Sequence, residues 1–213
     1  MAKNTAFYVD GFNLYHAIDA LGKPHLKWLD LYALAKTFLT EGEKLTCVVC
    51  FSAYMKWNQQ KLRRHREYVS ALRAVGVEPI LSEFQSAKKH CYKFDRYCNF
   101  REEKQTDVAF ASRMICDALT GVADRIILLT ADSDQVPTIA AIKGLATHKQ
   151  ISLAVPPGRK MIARELISLC DDFKEIGGGR LERCLFPRNV RNAKGTVAGR
   201  CPADYHNAKL MGC

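Results

Sequence analysis

The sequence is short of acid. Its 213 residues hold 22 Asp and Glu against 32 Lys and Arg, a formal charge of +10. That balance suits a polyanionic partner and makes any gathering of the few carboxylates worth explaining. No apolar run approaches the ~20 residues of a membrane span, so no membrane partner is expected. The opening MAKNTAFYVDG enters a strand pattern at once, leaving no room for a secretory leader. A cytoplasmic location is expected. No G-x-G-x-x-G follows the first apolar run, and no Walker motif or internal repeat occurs, which removes the common nucleotide-cofactor modes. The nine cysteines are odd in number and lack the dense, regular spacing of a disulfide framework.

What is present alternates. Thr5–Val9, Leu45–Tyr54, Val77–Leu81, Arg125–Thr130 and Ile151–Val155 read as strands, and Phe173–Ile176 as a short last one. Between them run helical stretches, including Asn58–Val75, ended by Gly76, and Thr106–Leu119. The largely aliphatic strands suit a buried parallel sheet. The pattern predicts an α/β domain with a mainly parallel sheet of about five strands joined by right-handed helical crossovers. Residues 82–104 match neither period and read as an insertion. Gly177-Gly178-Gly179 closes the expected domain, 1–179, and residues 180–213 read as a basic tail with seven Lys and Arg against two acids.

Four acids stand where such a sheet gathers side chains. Asp10 ends the run Ala6-Phe7-Tyr8-Val9, Asp132 and Asp134 follow Ile126-Ile127-Leu128-Leu129, and Asp107 opens a helix. Ligands of open α/β sheets bind outside the carboxyl ends of the strands. Carboxylates collected there repel one another and suit a hard cation, Mg²⁺ or Mn²⁺. Each taken singly also has a structural reading, since Asp is common in turns and at helix N-caps. Asp107 in particular fits a cap, with Thr106 competing.

Cys47 and Cys50 lie three apart in a strand and face opposite sides. They read as structural thiols. His90, Cys91 and Cys98, in KHCYKFDRYCNF, offer three ligands for Zn²⁺. The same insertion interleaves Lys88, Lys89, Lys93 and Lys104 with Tyr92, Phe94 and Tyr97. A second basic segment carries Arg63, Arg64 and Arg66. Rings that stack unpaired bases beside cations that hold phosphates suit single-stranded or unstructured RNA. Homo-oligomerisation is compatible with the sequence.

The motifs FYVDGFNLYHAI, EEKQTDVAFASRM, ILLTADSDQVPTIAAIK and ISLAVPPGR, in this order, resemble the NYN domain of the PIN-like nuclease superfamily, and most closely its bacterial LabA-like branch. The resemblance spans about residues 5–176. It implies a PIN-like three-layer α/β fold and a metal-dependent ribonuclease. On that reading Asp10, Asp107, Asp132 and Asp134 bind metal and act in catalysis with Asn13. Thr130 and Ser133 are accessory polar groups at the substrate. One or two Mg²⁺ or Mn²⁺ ions would hold the scissile phosphate and lower the pKa of the attacking water. The C-x6-C spacing of the insertion departs from the short cysteine motifs of that branch.

Two rivals stand beside this reading, one enzymatic and one of another class. A HAD-like phosphohydrolase also carries an Asp after its first strand but wants a second carboxylate two residues on, where this chain has Phe12. A non-catalytic RNA-binding or scaffold protein on the same fold gains nothing from four acids facing a polyanion.

Overall fold

In a computed structural model, residues 2–91 and 95–206 are described. The chain runs β1 (Lys3–Asp10), α1 (Gly11–Asp19), α2 (Leu31–Lys36), β2 (Glu43–Ala53), α3 (Gln59–Ala74), β3 (Glu78–Cys91) and β4 (Arg96–Lys104). It continues as α4 (Thr106–Leu119), β5 (Arg125–Leu129), α5 (Val136–Leu145), β6 (Gln150–Val155), α6 (Arg164–Leu169) and β7 (Asp172–Glu175). The described chain ends with α7 (Gly178–Arg183), the two-stranded β8 (Asn189–Arg191) and β9 (Val197–Arg200), and a 3₁₀ turn at Ala203–Tyr205. Among the described residues no helix is long and apolar enough to cross a membrane.

One sheet of seven strands, in the order β4-β3-β2-β1-β5-β6-β7, forms the middle layer. All neighbours pair parallel except β3 and β4. Successive side chains of a strand face opposite ways, and the central strands are apolar on both faces. Phe7, Val9, Ile127 and Leu129 enter a core with Leu14, Leu34 and Leu72 of α1, α2 and α3. Ala6, Tyr8, Ile126 and Leu128 enter a second core with Phe110, Ile139 and Leu166 of α4, α5 and α6. Cys50 belongs to the first and Cys47 packs against the second. The result is a three-layer α/β/α sandwich.

From β1 the chain works outward through β2 and β3 with helices on one face. It then returns to β5 and continues through β6 and β7 with helices on the other. The direction of winding changes between β1 and β5, a switch point whose carboxyl-end crevice is the expected ligand site. Two devices, one polar and one steric, fix what borders it. The Tyr8 hydroxyl donates to Asp117 Oδ2 (2.6 Å) and Arg113 Nε donates to the same oxygen (2.7 Å), which clamps α4 to the sheet. Gly11, first in α1, sits where a Cβ would lie 2.6 Å from the Phe51 carbonyl oxygen, so only glycine lets α1 leave β1 this close to β2.

Two segments have structure that the sequence pattern did not disclose. Residues 83–91 and 96–104 form an antiparallel arm, with β3 pairing β2 only from Glu78 to Ser82 and then running on against β4. Most of that arm projects past the sheet with water on both faces, so its residues carry no alternation of apolar and polar. The expected basic tail is folded from 180 to 206. Leu181, Cys184, Phe186, Val190 and Cys201 are buried in the first core. Trp28 Nε1 donates to the Pro187 carbonyl (2.8 Å), and β9 lies on α3 with Gly199 against Glu67 and Ala71. Apolar anchors spaced three, two, four and eleven residues apart obey no helical or strand period, which hid this segment. Residues 207–213 are outside the described residues.

Candidate functional site

The acids meet at the switch point. Asp10, the last residue of β1, caps α1 by accepting the Asn13 amide on Oδ1 (2.9 Å) and accepts the Thr130 hydroxyl on Oδ2 (2.9 Å). Buried Thr130, one residue past β5, also accepts the Asp132 amide (3.1 Å). Asp132 in turn caps the 3₁₀ turn Ser133–Gln135 by accepting the Asp134 amide (3.1 Å). The Asn13 side-chain oxygen accepts the Ala131 amide (3.2 Å), tying α1 to the loop after β5. Asn13 thus positions the acidic loop by a bond across the switch point.

Asp107 arrives from the far side of the sheet. The helix it belongs to is entered through Gln105, a non-glycine residue with φ of 76°. Neither Asp107 nor Thr106 is the cap: Gln105 holds that position without a side-chain bond, and Thr106 donates instead to Glu103. Asp107 is therefore free of the local role that competed with a functional one. It stands exposed in the first turn of α4, where the helix dipole favours a negative charge.

The electrostatics join these groups. Burial pushes the Asp10 carboxyl up to about 6, helped by the charges of Asp132 and Asp107 and opposed by the Asn13 and Thr130 hydrogen bonds. Burial also raises Asp107, with Asp132 and Asp134 adding to it. Glu103, at the end of β4, is raised by burial and by the charges of Asp10 and Asp107, so it is a fifth member. Sequence reasoning passed it over although it stands in the quoted EEKQTD segment. Its membership depends on β4 returning to the sheet edge, which the sequence pattern did not disclose.

The carboxylates feel one another, yet among the described residues no three His, Cys, Asp or Glu side chains are grouped tightly enough to hold one ion. The carboxylates are therefore more loosely grouped than the close cluster expected from the sequence. The donor chemistry of the site still fits a hard cation: carboxylate oxygens around a hydroxyl and a side-chain amide. The zinc expectation does not survive the register of the arm. His90 is opposite Tyr97, while Cys91 is opposite Arg96 and Cys98 opposite position 89. Pairing partners share a face, so His90 turns away from both cysteines. Its imidazole faces Asp95 (3.2 Å) and the Tyr97 ring.

The cationic residues expected at the substrate divide. Arg63 and Arg66 are exposed on the first half of α3, which begins at the same sheet edge, capped by Asn58. Arg64 is tied by Nη1 to Asp204 Oδ2 (2.6 Å), and Lys104 to Glu102 (3.0 Å). Lys88 is exposed on the arm. The side chain of Lys89, and the whole of Tyr92, Lys93 and Phe94, are outside the described residues. Where the arm leaves the sheet, Phe84 packs edge-on against Trp57 (4.8 Å) and Phe12 (5.8 Å), and the Arg101 guanidinium lies 4.4 Å from the Trp57 ring centre. This ring cluster adjoins the start of α1, next to Asp10. Ser133 is exposed beside Asp132.

Known proteins bracket this arrangement. A curated relative, 6-hydroxy-3-succinoylpyridine 3-monooxygenase HspA of Pseudomonas putida, is 26% identical over 91% of this chain and 73% of its own length. A crystal structure of a protein of unknown function from Vibrio parahaemolyticus superposes with a TM-score of 0.58 at 20% identity, over 83% of this chain and 94% of that one. It supports the fold alone. The NYN domain model matches residues 4–177, and the chain belongs to that family, within the PIN-like nuclease superfamily.

Proposed function

We propose that the protein is a metal-dependent ribonuclease acting at the β1/β5 switch point. The observation that carries the reading is the linkage of Asp10 and Asp132 through the Thr130 hydroxyl at the carboxyl edge of the sheet, with Asp107 near enough for its charge to act on Asp10 and Glu103 near enough to feel both. A fold does not assemble like charges at a ligand crevice without cost, and a divalent cation turns that cost into binding. Asp10, Asp107 and Asp132 would hold Mg²⁺ or Mn²⁺, with Glu103 and Asp134 at the margin. The ion, when bound, neutralises the scissile phosphate and acidifies the attacking water.

The chain's own residues do the rest. Thr130 keeps the Asp10 carboxylate turned toward the crevice, and Asn13 holds the loop that presents Asp132. Asp134, on the outer rim, orients water. Ser133 offers a hydroxyl to a phosphate oxygen. Arg63, Arg66 and Lys88 draw in the strand, while exposed Trp57 and Tyr97 offer faces on which unpaired bases stack. The test is cleavage of unstructured RNA with Mn²⁺ by the purified chain, compared with Asp10→Asn and Asp132→Asn. Loss of cleavage in both, with folding intact, supports the reading. Undiminished cleavage in both defeats it, and RNA binding without cleavage by the wild type favours the scaffold alternative.

The Pseudomonas relative supports a second reading, oxygenation of a small aromatic substrate, because its similarity runs through nearly the whole chain. Consumption of dioxygen in the presence of a hydroxypyridine carboxylate and an electron donor, with a hydroxylated product, would establish it.

A further inference from the structure

Beneath α1 and α3, on the face of the sheet opposite α4, lies a cavity of about 110 Å³ that the acidic site does not use. Its walls are apolar, built by Val9, Leu14, Ile18, Val69, Leu72 and Leu81 among others. It is smaller than the apolar cavity of about 150 Å³ that accommodates benzene, so its enclosed part has room for one ring at most and any substituent must reach toward the open rim. Gly11 forms part of the wall, and Asp10 is close enough for its charge to act on the lining thiol of Cys50. The cavity and the acidic crevice are therefore neighbours across the end of β1.

Its charged groups have one sign. Lys27, Lys61 and Arg64 line it, and no carboxylate does among the described residues. Lys27 is held by Asp19 and Arg64 by Asp204, yet Arg64 Nε is buried without a hydrogen-bond partner. A guanidinium N–H left unpaired is costly. An anion at that point would satisfy it. At the floor, His65 Nε2 lies 3.3 Å from the Ser52 hydroxyl. Burial depresses the His65 imidazole to about 4, so at neutral pH the pair is uncharged and able both to give and to accept a hydrogen bond. Tyr205, from the folded C-terminal segment, completes the rim beside Lys27 and Arg64.

We infer that this cavity binds a single planar ring bearing an anionic group, the ring between α1 and α3 and the anion toward Arg64 and Lys61. Two sources share that chemistry: a pyrimidine nucleotide and a free aromatic carboxylate. The site is distinct from the acidic crevice and does not depend on the nuclease reading.

Titration calorimetry on the full chain with benzoate, uridine 5′-monophosphate, the uncharged phenol and uridine, and the ringless acetate and ribose 5-phosphate tests the inference. At least one ring-bearing anion should bind saturably at millimolar concentration, and its uncharged or ringless counterpart should bind roughly tenfold or more weakly, the scale of one charge-assisted hydrogen bond. Benzoate in preference to the nucleotide points to a free aromatic acid, and the reverse to a nucleotide. Val69→Phe, which fills the cavity, should abolish ring binding. Arg64→Gln should weaken the anions while sparing phenol. Asp204→Asn, which frees Arg64 from its exposed partner, should leave or improve anion binding, whereas a merely structural role for that ion pair would make it behave like Arg64→Gln. The wild-type panel decides even if Val69→Phe fails to fold. No saturable binding of either ring-bearing anion, or equal binding of their ringless counterparts, overturns the inference.

Discussion

Replacing Asp10 by Asn should stabilise the ion-free protein, and the gain should grow with pH. The Asp10 carboxyl is raised from 3.8 to about 6 by burial first and by its acidic neighbours second. At 1.36 kcal/mol per pKa unit the difference is on the order of 3 kcal/mol. Its sign follows from proton counting. Between about pH 4 and 6 the folded chain keeps a proton that the unfolded chain has released, so stability falls as pH rises through that window and stays reduced above it. Asn has no proton to lose. It can also keep the local bonds, since its side-chain oxygen can cap α1 and its amide can donate to Thr130, whose hydroxyl has acceptor capacity to spare. Thermal unfolding in a chelating buffer should show matching midpoints near pH 4 and a variant higher by roughly 6–12 °C above about pH 7, at 2–4 °C per kcal/mol for this size. A difference independent of pH, or a variant that is less stable at neutral pH, would refute the account of Asp10 as a buried member of a repulsive cluster.

Three further outcomes are expected. Mn²⁺ at a hundred times its dissociation constant should stabilise the wild type by about 2.7 kcal/mol at neutral pH, and Asp132→Asn should lose most of that gain in the same melting assay. Gly199→Val should cost roughly 1–3 kcal/mol, because a Cβ there meets the Glu67 carbonyl at 2.7 Å and Ala71 at 2.9 Å; a red-shifted Trp28 emission would report the loosened C-terminal segment, and an unchanged melt would show that β9 does not bear on α3. Arg125→Met should cost about 3–5 kcal/mol in denaturant titration, since it leaves Glu43, 3.0 Å away and 4% exposed at the side chain, without its cation; a neutral effect would mean that Glu43 reaches water.

The central sheet was legible because its strands are aliphatic runs bounded by polar residues, and Asp10 and Asp132 stand at those boundaries. A position at a strand end is a position at the sheet edge, whatever the rest of the chain does. The arm was not legible for the converse reason. Residues such as Gln85, Ser86 and Lys88 face water whichever way they turn, and only pairing with β4 makes them a strand. Glu103 was missed with it. The C-terminal segment shows a third case: Leu181, Phe186 and Val190 are ordinary members of the first core, with Phe186 against Trp28, so packing rather than periodicity defines them. The His65–Ser52 pair joins two elements thirteen residues apart with nothing in either segment to mark it.

The switch point explains why a basic chain concentrates its acids where it does. Helices on one face flank β1 toward β2, and helices on the other flank β5 toward β6, so neither set covers the crevice between the two carboxyl ends. Backbone amides left uncovered there need acceptors. Asp10 and Asp132 meet that need by capping α1 and the turn after β5, and the Asn13 carbonyl meets it for Ala131. Asp10 is thus held on both oxygens, by Asn13 and Thr130, and Asp132 on one, while their charges still act on one another. Structural capping and function are not competing readings of these residues. The caps make the carboxylates rigid, and rigidity prevents them from relieving their repulsion by rotating into water. Asp107, which caps nothing and is exposed, enters from the opposite helical layer, so the group draws on both layers of helices and its two sides are held by different elements.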